Sequence, residues 1–401
     1  MKVLMRISFL SLFVLAIFLL APFGASAAPI YAPFEVSGWI PYWRTATGTA
    51  DVLPHLNQLI EVNPFVYTLK SDGTFLDNGS LDKEPWVSFI AEAKRQKVRI
   101  IPTIMTSNSE LLHKILSNQK SRIALEDAIT ALVKENNFDG IDIDFEGKRA
   151  EDRDYFSTFL RGLYQRMGNK WVMCTIEART PVADRYFGNT PPADASLYAN
   201  DLKEINKYCD RVRVMAYDQQ SIDLKLMAEA EAKGELYAPV ADPAWVEKVI
   251  TLMAKDISKK KIVIGVPTYG YEYNVTAYAG SFAYDLLWSF NPGYAIPIAN
   301  SFGITPTRNA QGEIFFSYLP TTTPITAKPQ FIQNSQNVAQ AALTFANTTN
   351  VNQVFRMMTW GDASSVADKI ALAKKLGVRG IAIFKLDGGQ DPAIWNILPK
   401  R

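Results

Sequence analysis

Four acidic residues recur at fixed spacing in Phe-Asp-Gly-Ile-Asp-Ile-Asp-Phe-Glu-Gly over 138–147: Asp139, Asp142, Asp144 and Glu146. Set on a strand, Ile141, Ile143 and Phe145 point to one face and Asp142, Asp144 and Glu146 to the other. Same-face residues stand about 6.5 Å apart, so the three carboxylates form a short row. Gathering them is costly, because repulsion and desolvation both disfavour full ionisation. An ordinary amphipathic strand would turn the same acids to water. Here a helix-like run precedes the motif and glycines flank it, which argues for a parallel strand covered by helices on its outer side. The acidic face then points into a barrel or cleft. Glu146, at the carboxyl end of the strand, sits where such folds place chemistry.

The rest of the chain must supply the frame for that row. Strand-like and helix-like segments alternate, which argues for βα units and a parallel sheet. The strands read as 36–43, 63–69, 98–105, 138–147, 171–178, 211–217, 261–269 and 380–386. Helical patterns fall at 83–96, 121–136, 151–167, 243–257 and 364–376. The apolar run at 98–105 suits a strand buried on both faces. Eight strands, mostly separated by helices, predict an α/β fold, a (β/α)8 TIM barrel over 34–401. The rhythm breaks once. From Asn274 to about Phe355 it gives way to turn signals, strand-like pieces and a Thr/Asn/Gln-rich portion over 321–352. A structureless loop of that length is not expected inside a compact domain. Residues 274–355 therefore read as a small α+β insertion between the seventh strand and the last helix.

At 401 residues, 48% hydrophobic and 20% charged, the composition is that of a globular protein with a large core. A net charge of +2 gives no basis for a nucleic-acid partner. His55 and His113 lie far from the acidic row in sequence. A zinc centre or a serine or cysteine triad is poorly supplied, and no metal or cofactor is expected. Lys2 and Arg6, the apolar run 7–21 and Ala25-Ser26-Ala27 form a secretory signal pattern, with cleavage expected after residue 27. A retained anchor is the competing reading, although the apolar core is short for a membrane span. The expected product is a monomer without a stable span, secreted or held in the cell envelope. Export permits a Cys174–Cys209 disulfide. Two buried thiols remain equally compatible with a Cys174 inside an apolar strand.

The form Asp-x-x-Asp-x-Asp-x-Glu, with Gly140 and Phe145 inside it, resembles the signature of glycoside hydrolase family 18, the chitinase and N-acetylglucosaminidase family. Gly38-Trp39-Ile40-Pro41-Tyr42-Trp43 resembles that family's aromatic first strand. Val214-Met215-Ala216-Tyr217-Asp218 resembles the end of its sixth, and Ile264 to Gly270 its seventh. The resemblance spans nearly all of the chain after the signal. One position departs: the family usually has a tryptophan on the eighth strand as a sugar floor, and Phe384 stands there.

The resemblance implies a substrate-assisted glycosidase acting on an N-acetylglucosamine-containing glycan, chitin or peptidoglycan. The opening Gly-Trp-Ile-Pro-Tyr-Trp, with Val354 to Asp362 and the helix after it, looks closer to bacterial cell-wall and spore-cortex members and leans towards peptidoglycan. Glu146 would protonate the glycosidic oxygen, and the substrate's 2-acetamido oxygen would attack the anomeric carbon. Asp144 and Tyr217 would hold the acetamido group. Asp142 would share a proton with Asp144 and keep Glu146 protonated through repulsion. Trp39, Tyr42, Tyr67, Met215, Asp218, Tyr269 and Phe384 would bind sugar. Asp139, on the opposite face, reads as structural. Arg213, sharing a strand face with Met215 and Tyr217, either reaches Asp142 or lies at the solvated lower rim. The alternative function on the same barrel is a non-catalytic glycan-binding protein, although such relatives usually lose the terminal glutamate.

Overall fold

The computed structural model describes residues 34–320 and 337–400. The expected signal segment 1–27 and the 321–336 part of the Thr/Asn/Gln-rich portion lie outside the described residues. Eight parallel strands close into a barrel: Glu35–Pro41, Glu61–Leu69, Thr103–Thr106, Gly140–Phe145, Trp171–Glu177, Arg211–Met215, Ile262–Pro267 and Gly380–Phe384. Each pairs with its neighbour in sequence order, and the first pairs with both the second and the eighth, so no barrel edge is left open.

The core lies between the outer strand faces and the helices. Ile141, Ile143 and Phe145 pack there, with Phe145 stacked 5.6 Å from Phe159 of helix Arg153–Met167. This commits the opposite face of the strand, and its acids, to the barrel interior. Helix Gln119–Glu135, which leads into that strand, begins where the Asn118 side chain accepts from the Ser121 N–H. Helix Ala363–Leu376 is capped at its start by Asp362 and at its end by a left-handed Gly377.

Two boundaries differ from the sequence reading. The third strand is not continuous over 98–105: it forms as Arg99–Ile100 and Thr103–Thr106. Pro102 brings no N–H to the ladder, and the stranded Ile101 carbonyl accepts instead from the Asn63 side chain at 2.9 Å. The insertion begins at Gly270 and ends at Trp360, wider than 274–355. Gly270–Tyr278 and Gln353–Trp360 pair along their length. A Cβ at Gly270 would meet the Thr359 carbonyl at 2.3 Å, so the two strands press together from their first residue.

Among the described residues the insertion is a five-stranded antiparallel sheet, ordered Ser281–Phe290, Gly270–Tyr278, Gln353–Trp360, Ile314–Tyr318 and Thr307–Arg308, with helices Pro292–Ser301 and Val338–Thr349. It is tied to the barrel by buried Glu313, which accepts from the N–H groups of Val240 and Ala241. Asn291 adds a second tie by donating to Asp387 just beyond the eighth strand. Cys174 and Cys209, both fully buried, form a disulfide that joins the fifth strand to the segment before the sixth. Among the described residues, no helix is long and apolar enough to cross a membrane.

Candidate active site

Asp142 is the deepest acid of the row and is completely buried. Its Oδ2 accepts from Trp39 Nε1 at 3.0 Å and Thr103 Oγ1 at 2.8 Å, and its Oδ1 from Thr175 Oγ1 at 2.8 Å. The Arg213 guanidinium completes the shell, 2.8 Å from Asp142 Oδ2, and also pairs with Glu61. Arg213 is 1% exposed, so of its two sequence placements the interior one holds. Asp139 lies on the other face, where its Oδ2 accepts from the Ile100 N–H at 2.8 Å.

Asp144 lies one step higher, nearly buried, and its Oδ1 has no hydrogen-bond partner. Burial, then the neighbouring charges of Glu146, Asp142 and Glu177, raise its carboxyl well above the usual range. The expected proton sharing with Asp142 has no matching contact, because Asp142 is already occupied by Trp39, Thr103, Thr175 and Arg213. Glu146 follows at the strand end, its N–H donating to the Thr106 carbonyl at 2.9 Å. Its carboxyl is also raised, by burial first and then by Glu177 and Asp218, against the pull of Lys148.

Aromatic rings close the site from the first, second, sixth and eighth strands. The Phe384 ring lies 5.9 Å from Trp39, 6.0 Å from Phe65 and 5.7 Å from Tyr217, stacked on the last at 19°. Tyr217 fits because Gly265 has no side chain: a Cβ there would meet its ring at 2.7 Å. Burial and the nearby Asp144 raise the Tyr217 phenol well above its usual value, so it stays a neutral donor. Asp218 adopts φ +59°, a left-handed conformation uncommon outside glycine. The hydroxyls of Tyr269 and Tyr271 both donate to its Oδ1. Trp39, Phe65, Asp144, Glu146, Thr175, Met215, Tyr217, Asp218 and Phe384 together line a pocket of about 180 Å³.

A glutamate of raised proton affinity at the rim, an aspartate with an unpartnered oxygen beneath it and an aromatic floor can accept a sugar ring and pass it a proton. The family model of Glycosyl hydrolases family 18 matches residues 39–389. The chain belongs to this family. It is similar to the uncharacterized glycosylase YvbX of Bacillus subtilis (strain 168), 26% identical over 227 residues, which are 55% of this chain and 61% of that protein. It is also similar to the putative sporulation-specific glycosylase YdhD of the same organism, 30% identical over 176 residues, 44% of this chain and 37% of that protein. The match thus spans less than two thirds of either relative's length. Among solved structures, the Bacillus cereus spore cortex-lytic enzyme SleL shares the fold, with a TM-score of 0.66 at 16% identity, covering 92% of this chain and 75% of that one.

Against this family 18 frame, the sequence-derived residues separate into three groups. Trp39, Asp144, Glu146, Met215, Tyr217, Asp218 and Phe384 line the pocket. Asp142 and Tyr269 stand behind it, bonded to groups that do. Tyr42 and Tyr67 do not line it. Tyr42 is 39% exposed and packs edge-on against Trp43. Tyr67 is buried in the main core, because the pairing register shifts between Phe65 and Tyr67 and breaks the alternation that would have given them one face. Phe65 takes the place in the pocket instead. Thr175 and Glu177 also went unread: both lie on the fifth strand, where plain alternation from Asp142's partner strand could have found them.

Proposed function

We propose that the chain is a secreted glycosidase that hydrolyses β-1,4-linked N-acetylglucosamine polymers with retention, through substrate assistance. The observation that carries this reading is Glu146, whose carboxyl is raised above its ordinary range at the rim of the sugar-sized pocket. Glu146 donates its proton to the glycosidic oxygen while the acetamido oxygen of the same sugar attacks the anomeric carbon, giving an oxazolinium ion. Water then opens that ion, with Glu146, now a carboxylate, taking the water's proton; two inversions leave the β-configuration. The unpartnered Asp144 Oδ1 is suited to accept the acetamido N–H, and the neutral Tyr217 hydroxyl to donate to its carbonyl oxygen. Asp142, with Arg213, acts as the fixed base of this arrangement. Phe384 and Trp39 supply the stacking floor.

Peptidoglycan is the favoured polymer over chitin. The similar proteins named as a sporulation-specific glycosylase and a spore cortex-lytic enzyme support that choice. The test is incubation of the purified protein with chitooligosaccharides and with purified peptidoglycan, products being identified by mass. Muropeptides ending in N-acetylglucosamine are expected. Binding of either polymer without any cleavage would instead make the protein a glycan receptor.

A further inference from the structure

Two charged groups beside Glu146 do not line the pocket: Lys148 and Glu177. An amine buried as deeply as that of Lys148, with its side chain 1% exposed, needs compensation. Its Nζ donates to the Phe145 carbonyl, lies 4.7 Å over the Phe156 ring and stands 3.7 Å from Glu177 Oε2. Glu177 is itself held on several sides. Its Oε1 accepts from the Gly147 N–H at 2.9 Å, its Oε2 from Asn200 Nδ2 at 3.1 Å, and its main-chain carbonyl from the Tyr198 hydroxyl at 2.9 Å. Gly147, at φ +64°, provides the turn that brings residue 148 back against the fifth strand. Glu177 therefore grips both residues that follow the acid, one through a hydrogen bond and the other through charge.

We propose that Lys148 and Glu177 are a positioning pair for Glu146, fixing its main chain at the strand end and exerting opposed electrostatic effects on its carboxyl. The inference rests on Glu146 being the acid. The charged and titratable groups around Glu146 are Asp144, with Asp142 and Arg213 beneath it; Lys148 on the following loop; Glu177 on the fifth strand; and Tyr217 and Asp218 past the sixth, backed by Tyr269. After burial, Glu177 is the largest influence raising the carboxyl's proton affinity, and Lys148 the one lowering it. With both present the two effects oppose each other. Removing one leaves the other uncompensated, so the two removals must act in opposite directions.

The test is a carbon-13 titration of the Glu146 carboxyl, assigned by its loss in Glu146→Gln, in wild type, Glu177→Gln, Lys148→Met and Lys148→Arg. Glu177→Gln should lower the midpoint by about 0.5 pH unit or more, and Lys148→Met should raise it by a similar amount. Lys148→Arg, which keeps the charge, should stay near wild type. The alkaline limb of kcat/KM should follow each midpoint. Shifts in the same direction, or a midpoint that Glu177→Gln moves by less than about 0.2 unit, would overturn the pair. If Lys148→Met is recovered unfolded, Glu177→Gln and Lys148→Arg decide. Midpoints that move as stated in a protein without turnover uphold the pair and reject the catalytic reading. Turnover with unmoved midpoints does the reverse.

Discussion

At the scale of single residues, one strand separates its acids by environment. Asp142 is surrounded by donors and an arginine, whereas Asp144 and Glu146 are raised by burial and by neighbouring acids, Glu177 among them. Glu146→Gln keeps the shape but cannot give a proton, so turnover should fall by at least about 10²–10⁴-fold with binding retained, as rate and affinity measurements on one preparation would show. The same change bears on stability. A carboxyl raised in the folded state binds protons that the unfolded chain releases, so its contribution is favourable at low pH and is lost as pH rises through the folded value. Glu146→Gln should therefore melt at or above the wild-type temperature at neutral and alkaline pH, and the gap should close in acid. Arg213→Met should leave Asp142 buried without its cation and cost about 3–5 kcal/mol in a denaturant titration. The acid row was legible in the sequence because strand alternation has a period of two and an acid at every second place is hard to mistake. Phe65 was not. Alternation puts it on one face with Tyr67, and the register shift between them, which turns Tyr67 into the outer core and leaves Phe65 at the pocket, has no sequence signal.

At the scale of elements, the eight strands and five of the helices between them were legible from apolar runs and helical periodicity, because a parallel strand covered on both faces has little choice of residue; the short helices Thr45–Val52 and Leu202–Tyr208 were not. Their ends were not. Pro102 interrupts the third strand inside an otherwise continuous apolar run, and only two residues separate the end of the seventh strand from the start of the insertion sheet. The cysteine pairing was also open, because a buried thiol and a buried disulfide ask for the same apolar surroundings. The bridge closes a separation of 35 residues. By loop-closure entropy, Cys209→Ser should lose about 4 kcal/mol, read as a lower denaturation midpoint in that variant. On the eighth strand, Phe384→Ala removes the ring that Trp39, Phe65 and Tyr217 all touch. It should raise KM and lower kcat together, while Phe384→Trp should be tolerated if the cage admits the larger ring.

At the scale of the whole molecule, the barrel brings the acid from the fourth strand, the tyrosine from the sixth and the aromatic floor from the first and eighth to one mouth, with the insertion sheet bonded beside it through Asn291 and Asp387. In that mouth Asp142 is occupied by its donors and Arg213, and burial and neighbouring charges raise the Asp144 carboxyl well above its usual value. On the proposed mechanism the nucleophile comes with the substrate. The most direct measurement is cleavage of matched N-acetylated and fully deacetylated chitooligosaccharides by the wild-type protein, with the product anomer followed by early-time NMR. The acetylated chain should be cut to β-anomeric products and the deacetylated chain left intact. Efficient cleavage of the deacetylated chain, or α-anomeric products at early times, would contradict it.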